Sequence, residues 1–430
     1  MRIIRLTEGI SIPSKIPHLL IAGVSGYGKG NLGESVATKQ HLVGWKVYDI
    51  NSESRGEGMC YGIPNNDWDM KVKLEIMSTG VLKPSGYDSE IIMFLGNKIE
   101  DITSLPKNVR VCVFNEEWLT NDDLKSFLSF NENQSNLMDG IFEIFGDRQM
   151  KLSQLYNFLK KAGNKESAEA YALKSTGGHY ASVNTIKRRA RSLLKSGLFY
   201  NGKNDIGKYF HYLDLEEINS HADIITTFST YMQNDRYIRY VCIATLLKKF
   251  VEFLDKRKSS IPICFYIREG NDFYEDKSPP PYMLDIQKYI SLILRKGRSF
   301  GGAKIMVIMD TQYLDDLPDS VFKGFNKIFI FRLPINDSKK LMAKATIPII
   351  YLENMARADV GIGMYISNGT FNYPIYVPPT LHLKADPSFD VFKHLSNLYG
   401  TDSFKKSDFI ALKIGGESES ILNLEDYNGD

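Results

Sequence analysis

The run Pro17-His18-Leu19-Leu20-Ile21-Ala22-Gly23-Val24-Ser25-Gly26-Tyr27-Gly28-Lys29-Gly30-Asn31-Leu32 joins an apolar stretch to a glycine-rich turn that carries one lysine. Glycines in such a turn let successive backbone N–H groups converge on phosphate oxygens. Lys29 adds charge for the β- and γ-oxygens, and a helix opening directly afterwards turns its N-terminal dipole toward the same anion. The spacing is that of a phosphate-binding loop, G-x-x-x-x-G-K-[ST], met at Gly23, Gly28 and Lys29. Its last position is not met, because Gly30 stands where a Ser or Thr hydroxyl would hold Mg²⁺. Binding of a nucleotide by Gly23, Ser25, Gly26, Tyr27, Gly28, Lys29, Gly30 and Asn31 is therefore better supported than its hydrolysis.

The elements that must position this loop alternate along the chain. A strand enters the loop, a helix follows over Asn31 to His41, and Trp45 to Ile50 reads as the next strand. Further strand-like runs are Glu90 to Leu95 and Val109 to Phe114. Such alternation predicts a largely parallel sheet covered by helices. From about Phe142 to Tyr209 the period becomes helical: Leu152, Leu155, Phe158 and Leu159, then Val183, Ile186, Ala190, Leu193 and Leu194. The second of these helices carries Lys187, Arg188, Arg189, Arg191 and Lys195 and stops at Gly197. It reads either as a solvated basic face or, with the turn after Phe199, as a winged helix-turn-helix that contacts DNA. Strand character returns at Tyr209 to Leu215, and a long helix follows over Arg236 to Asp255. Then come the strand Ile261 to Ile267, a helix over Leu284 to Ser299, and strands at Lys304 to Asp310 and Lys327 to Phe331. Gly361 to Ile366 and Tyr373 to Val377 read as an exposed hairpin with an edge-strand proline. The resulting division is 1–141 for the first half of the core, 142–209 for a helical insertion, 210–385 for the second half, and 386–430 for a polar tail.

The 430 residues allow a substantial core, and a net charge of +2 leaves nucleic-acid contact to local basic surfaces. Cys60, Cys112, Cys242 and Cys264 lack zinc spacing and read as buried free thiols in a reducing cytoplasm. The seven histidines show no ligand or triad spacing. No apolar run reaches the roughly 18 residues of a membrane span, and no signal peptide opens the chain. A cytoplasmic location is the expectation.

Several blocks, in this order, resemble the HerA/FtsK superfamily of hexameric DNA-pumping ATPases. They are the P-loop strand, Gly44-Trp45-Lys46-Val47-Tyr48-Asp49, the segment Leu294-Arg295-Lys296-Gly297-Arg298-Ser299-Phe300-Gly301 with the strand to Asp310 and Thr311-Gln312, and Lys327 to Leu333. The resemblance implies a RecA-like P-loop NTPase fold of the ASCE type, with a mostly parallel central sheet, helices on both faces and a helical insertion. It further implies ATP as ligand, double-stranded DNA as substrate and a homohexameric ring. Glu269 would be the catalytic base and Gln312 the sensor of the γ-phosphate or attacking water. Arg295, Arg298 or Arg332 would be an arginine finger acting on a neighbouring subunit. Two departures concern Mg²⁺. The family's metal-directed acid directly precedes the catalytic Glu, yet that position is Arg268, and the P-loop hydroxyl is lost at Gly30. A cation at Arg268 would repel the metal and can itself neutralise phosphates. Asp310 is the candidate replacement carboxylate for the metal, with Ser25 or Asn31 supplying a neutral oxygen. Asp272 is the acid if the alignment is shifted. Three readings follow: an ATP-driven translocase on double-stranded DNA in packaging, conjugative transfer or segregation; a nucleotide-binding structural or regulatory subunit that has lost the chemistry; and a DNA-binding regulator using residues 147–212.

Overall fold

The computed structural model describes residues 2–3, 18–51, 59, 86–101, 104–146, 148–175, 180–200, 210–230, 235–256, 260–274, 278–296, 304–367, 369–377 and 391–403. Its centre is a sheet in which β2 (Leu19–Ala22), β3 (Lys46–Asn51), β10 (Ile263–Ile267), β11 (Ile305–Thr311) and β12 (Lys327–Ile330) lie side by side. The order across the sheet is β12-β2-β11-β10-β3, all parallel. Counted along the chain these five run 5-1-4-3-2, the arrangement of a RecA-like P-loop NTPase. Beyond β3 the parallel sheet continues through β9 (Ile224–Ser229), β4 (Asp88–Met93) and β6 (Val109–Asn115).

Strand alternation divides the core in two. Leu19, Ile21, Val47, Cys264, Tyr266, Met306 and Ile308 belong to one buried cluster with Leu32, Val36 and Ala37 of the helix α1 (Lys29–Leu42). Leu20, Tyr48, Phe265, Ile267, Val307 and Met309 belong to the other, with the helices over 236–256 and 281–296. Both faces of each central strand are thus covered, which is why these strands read as unbroken apolar runs. Tyr48, Phe228, Phe250 and Phe265 form an aromatic knot on the second face, their ring centroids 4.9–5.8 Å apart.

Between β6 and β9 stand the helices α2 (Asn121–Leu128), α3 (Glu132–Ile144), α4 (Leu152–Ala162), α5 (Ala168–Ser175) and α6 (Tyr180–Ser196). The helical layer therefore begins before residue 142. Their apolar faces, including Leu155, Leu159, Ile186 and Leu193, merge with the core of the sheet's second face. After α6, the strands β7 (Phe199–Tyr200) and β8 (Phe210–Tyr212) each pair in parallel with β6. Among the described residues they do not pair with each other as the strands of a wing would. The hairpin near the carboxyl end also differs from expectation. β13 (Ile362–Ser367) is largely buried against β12, and β14 (Thr370–Tyr376) is not the edge, because β1 (Arg2–Ile3) pairs with Ile375 and Tyr376. Within 386–430, Val391–Tyr399 is helical with Leu395 buried, and β15 (Thr401–Ser403) pairs with β5 (Ser104–Pro106). Cys112, Cys242 and Cys264 are buried free thiols, and Cys60 lies outside the described residues. Among the described residues no helix is long and apolar enough to cross a membrane.

Lys46 opens β3 from inside the protein, and its ammonium donates to the carbonyls of His221 and Ile224 and to Thr226 Oγ1 at 2.8–2.9 Å. Burial lowers its pKa from 10.5 to about 8, against the pull of Glu90 and Asp223. Below pH 8 both folded and unfolded chains are charged there and the cost of burying that charge is fully present. Between pH 8 and 10.5 the folded chain sheds the proton first, so this residue's contribution to stability rises with pH. The difference in unfolding free energy between wild type and Lys46→Met should change over that interval by on the order of 3 kcal/mol, in favour of wild type at the alkaline end, measured by urea denaturation.

Candidate nucleotide site

The glycine-rich loop leaves the carboxyl end of β2 with Gly23, Gly26 and Gly28 at φ +151°, +85° and +111°. Two of them answer separate demands. A Cβ on Gly23 would stand 2.7 Å from Phe331 Cβ, so the loop lies directly on the chain leaving β12. Gly26 has open space around it, and its requirement is the left-handed backbone itself. The loop is pinned at its root by Gly23 N–H donating to Thr311 O (3.2 Å) and Val24 N–H to Arg332 O (2.9 Å). From Ser25 to Gly28, among the described residues, no backbone N–H has a partner, and the first turn of α1 adds its own unpaired donors. This is a nest for an anion. The Lys29 side chain, only 6% exposed, rises from the first turn of the same helix. Ser25 is exposed, while Gly30 and Asn31 are partly covered.

The position expected for a metal-directed acid is built differently. Arg268, directly after β10, donates from Nε and Nη2 to the two oxygens of Asp49 (2.7 and 3.2 Å) and from Nη1 to Glu34 Oε1 (2.8 Å). Its guanidinium also lies over the Tyr266 ring at 4.5 Å. Burial alone would lower its pKa, but Asp49, Tyr266 and Glu34 carry it well above the ordinary value. Contrary to the expectation from the sequence, Arg268 is not available to neutralise phosphates, because its charge is matched by two buried carboxylates. Asp49 also accepts from Met59 N–H and Thr227 Oγ1.

Asp310, at the end of β11 and 4% exposed, has both oxygens engaged. Oδ2 accepts from the Tyr266 hydroxyl and Oδ1 from the Glu269 backbone N–H, each at 2.6 Å. Burial and then Asp310 push the Tyr266 phenol well up, so it stays a donor. Glu269 is the one non-glycine residue at positive φ among the described residues (φ 46°, ψ 54°), and Asp310 holds its N–H in that conformation. Gln312 is brought to it: its Nε2 donates to Glu269 Oε2 (3.3 Å) and its N–H to Asn271 Oδ1 (3.2 Å). Glu269, Gln312 and Asp310 thus converge at the neighbouring ends of β10 and β11, and β11 is the strand directly beside β2, from which the loop departs. Asp272 lies beyond them in the short helix Gly270–Phe273.

The arginines separate. Arg332 belongs to its own chain's loop, donating from Nη1 to the Tyr27 hydroxyl at 2.5 Å with its guanidinium 5.3 Å from that ring. Arg295 is exposed near the end of the helix over 281–296, and Arg298 lies outside the described residues. Among the described residues no group of three His, Cys, Asp or Glu side chains is arranged to hold a metal. Two protein-side contacts expected for Mg²⁺ are missing, since Gly30 has no hydroxyl and Arg268 is a cation, while Asp310, the candidate replacement, already accepts one hydrogen bond on each oxygen. Sequence reasoning missed Glu34, Asp49, Tyr266 and Asn271. An arginine closing a fully buried strand was the available signal, because such a charge demands carboxylates nearby.

No family model and no curated protein matches the chain. Solved structures similar to it include VirB4 of Thermoanaerobacter pseudethanolicus, at 11% identity and a TM-score of 0.49 over 84% of this chain and 89% of that one. The bacterial conjugative coupling protein TrwB is similar at 12% identity and a TM-score of 0.48, covering 87% of this chain and 88% of that one. The genome packaging NTPase B204 from Sulfolobus turreted icosahedral virus 2 is 16% identical with a TM-score of 0.25, over 39% of this chain and 72% of that one.

Two outcomes follow from the geometry. Arg268→Met leaves Asp49 and Glu34 buried without their cation and should cost about 3–5 kcal/mol of stability by urea denaturation, with Arg268→Lys falling between because an ammonium cannot reproduce the fork. Glu269→Gly, by contrast, relieves a left-handed backbone at an entropic cost of similar size, so its stability should stay within about 1 kcal/mol of wild type. A large drop in its denaturation midpoint would assign Glu269 to the fold instead of to chemistry.

Proposed function

We propose that this chain is an ATP-driven motor of the HerA/FtsK type, acting on double-stranded DNA as a homohexameric ring. The observation that carries the nucleotide part is the loop after β2, whose N–H groups from Ser25 to Gly28 are unpartnered beside Lys29, with the Glu269–Gln312 pair nearby in the same sheet. The loop N–H groups and Lys29 would hold the phosphates. Glu269, oriented through Asp310 and Gln312, would place a water in line with the γ-phosphorus and accept its proton as the bond to the β-phosphate oxygen breaks, giving ADP and phosphate. Arg332 reports on its own loop through Tyr27, which leaves Arg295 and Arg298 as the residues proposed to reach a neighbour's nucleotide. DNA and the ring rest on the resemblance in the sequence.

A second reading has its own observation. The Asp49–Arg268–Glu34 cluster closes the metal-directed position, and Gly30 removes the other magnesium contact, which favours a subunit that binds nucleotide without turning it over. ATP hydrolysis by the purified protein, with and without Mg²⁺ and linear duplex DNA, separates the two beside Lys29→Ala. Turnover stimulated by DNA and abolished in the variant is the expected result. Nucleotide binding that the variant loses, with no turnover in wild type, selects the non-hydrolysing subunit.

A further inference from the structure

The basic run on α6 is sorted by the fold. Arg189 turns inward, donating from Nη1 to Leu128 O and Gln134 Oε1 at 2.7 Å with its guanidinium 3.3 Å from the centre of the Phe130 ring. Lys187, Arg188 and Arg191 turn the other way. With Asn184 and Thr185 of α6 and Tyr156 and Lys160 of α4 they line a cavity of about 520 Å³. On α6, Asn184, Lys187 or Arg188, and Arg191 follow one another by a turn each, as do Tyr156 and Lys160 on α4, so the lining is two facing helix stripes. Four of the seven lining residues are cations and none is acidic. The two acids between α4 and α6, Glu166 and Glu169, are not among the lining residues, and Glu169 is engaged with Lys161.

We propose that this cleft binds the phosphodiester backbone of nucleic acid, as a site separate from the nucleotide loop; only the choice of DNA as probe leans on the motor reading. Ammonium, guanidinium, hydroxyl and amide donors gathered in one concavity are the groups that contact phosphate oxygens, and they carry no sequence information. The helices that line the cleft belong to the core of the sheet's second face, whereas α1, which opens at the loop, packs on the first. Like-charged side chains brought together on two packed helices repel one another, and a polyanion relieves that repulsion.

The test is binding of the full chain, without nucleotide, to a fluorescein-labelled duplex of about 30 base pairs across a salt series. Lys160→Glu/Arg188→Glu should weaken binding at least tenfold and reduce the slope of log K against log salt by about 2. Lys160→Arg/Arg188→Lys should keep both, and Lys165→Glu/Lys174→Glu, an equal charge change on exposed residues outside the cleft, should leave the slope within about 1 of wild type. An unchanged urea-denaturation midpoint shows that the reversed variant is folded. An unchanged slope and affinity in that variant, equal losses in the control pair, or no duplex binding by wild type overturns the assignment. No ATP turnover by the wild-type protein, with duplex binding that the reversed variant loses, would sink the motor reading and leave this one standing.

Discussion

The site depends on one buried ion cluster. Arg268 follows β10, Asp49 sits on β3 and Glu34 on α1, so a single guanidinium ties together two neighbouring strands and the helix that begins at the glycine-rich loop. Its partners are 0% and 3% exposed, and a carboxylate pair so placed is tolerable only with a cation between them. The cluster therefore fixes where α1 lies on the sheet, and with it the direction in which Lys29 and the loop donors point. Gly33 completes the contact: a Cβ there would stand 2.5 Å from the Tyr266 ring, which itself lies against Arg268.

The same cluster bears on the proposed chemistry. In a metal-assisted phosphoryl transfer the carboxylate beside the catalytic Glu faces the ion. Here the equivalent place is neutralised from within and the neighbouring carboxylate, Asp310, is engaged in holding Tyr266 and the backbone of Glu269. For the proposed nucleotide chemistry this leaves the loop, Lys29, and a Glu–Gln pair whose Glu is kept in a left-handed conformation. Residues strained in this way persist where surrounding contacts over-determine them, and the Asp310 hydrogen bond is that contact.

The helical layer between β6 and β9 shares the core of the sheet's second face, and its connection to β6 is made twice, by β7 and β8. A basic helix in that layer is consequently not free to behave as a detached reading head. Its inward face, Arg189 included, is spent on packing, and the stripe facing α4 is the part proposed to meet a ligand.

Much of this was legible in the amino-acid order. The loop, its lysine and the loss of the hydroxyl at Gly30 are local, because turn conformation and phosphate binding depend on residues adjacent in the chain. The parallel sheet was legible because strands buried on both faces leave continuous apolar runs, as in Leu19–Ala22 and Ile263–Ile267. Tertiary structure alone decided what surrounds each charge. Glu34 and Asp49 reach Arg268 across more than two hundred positions of sequence, Tyr27 meets Arg332 over the loop, and the run of cations on α6 divides between core and cleft. Partners of that kind are fixed by strand order and helix facing, and periodicity reports only that a residue is covered, never by what.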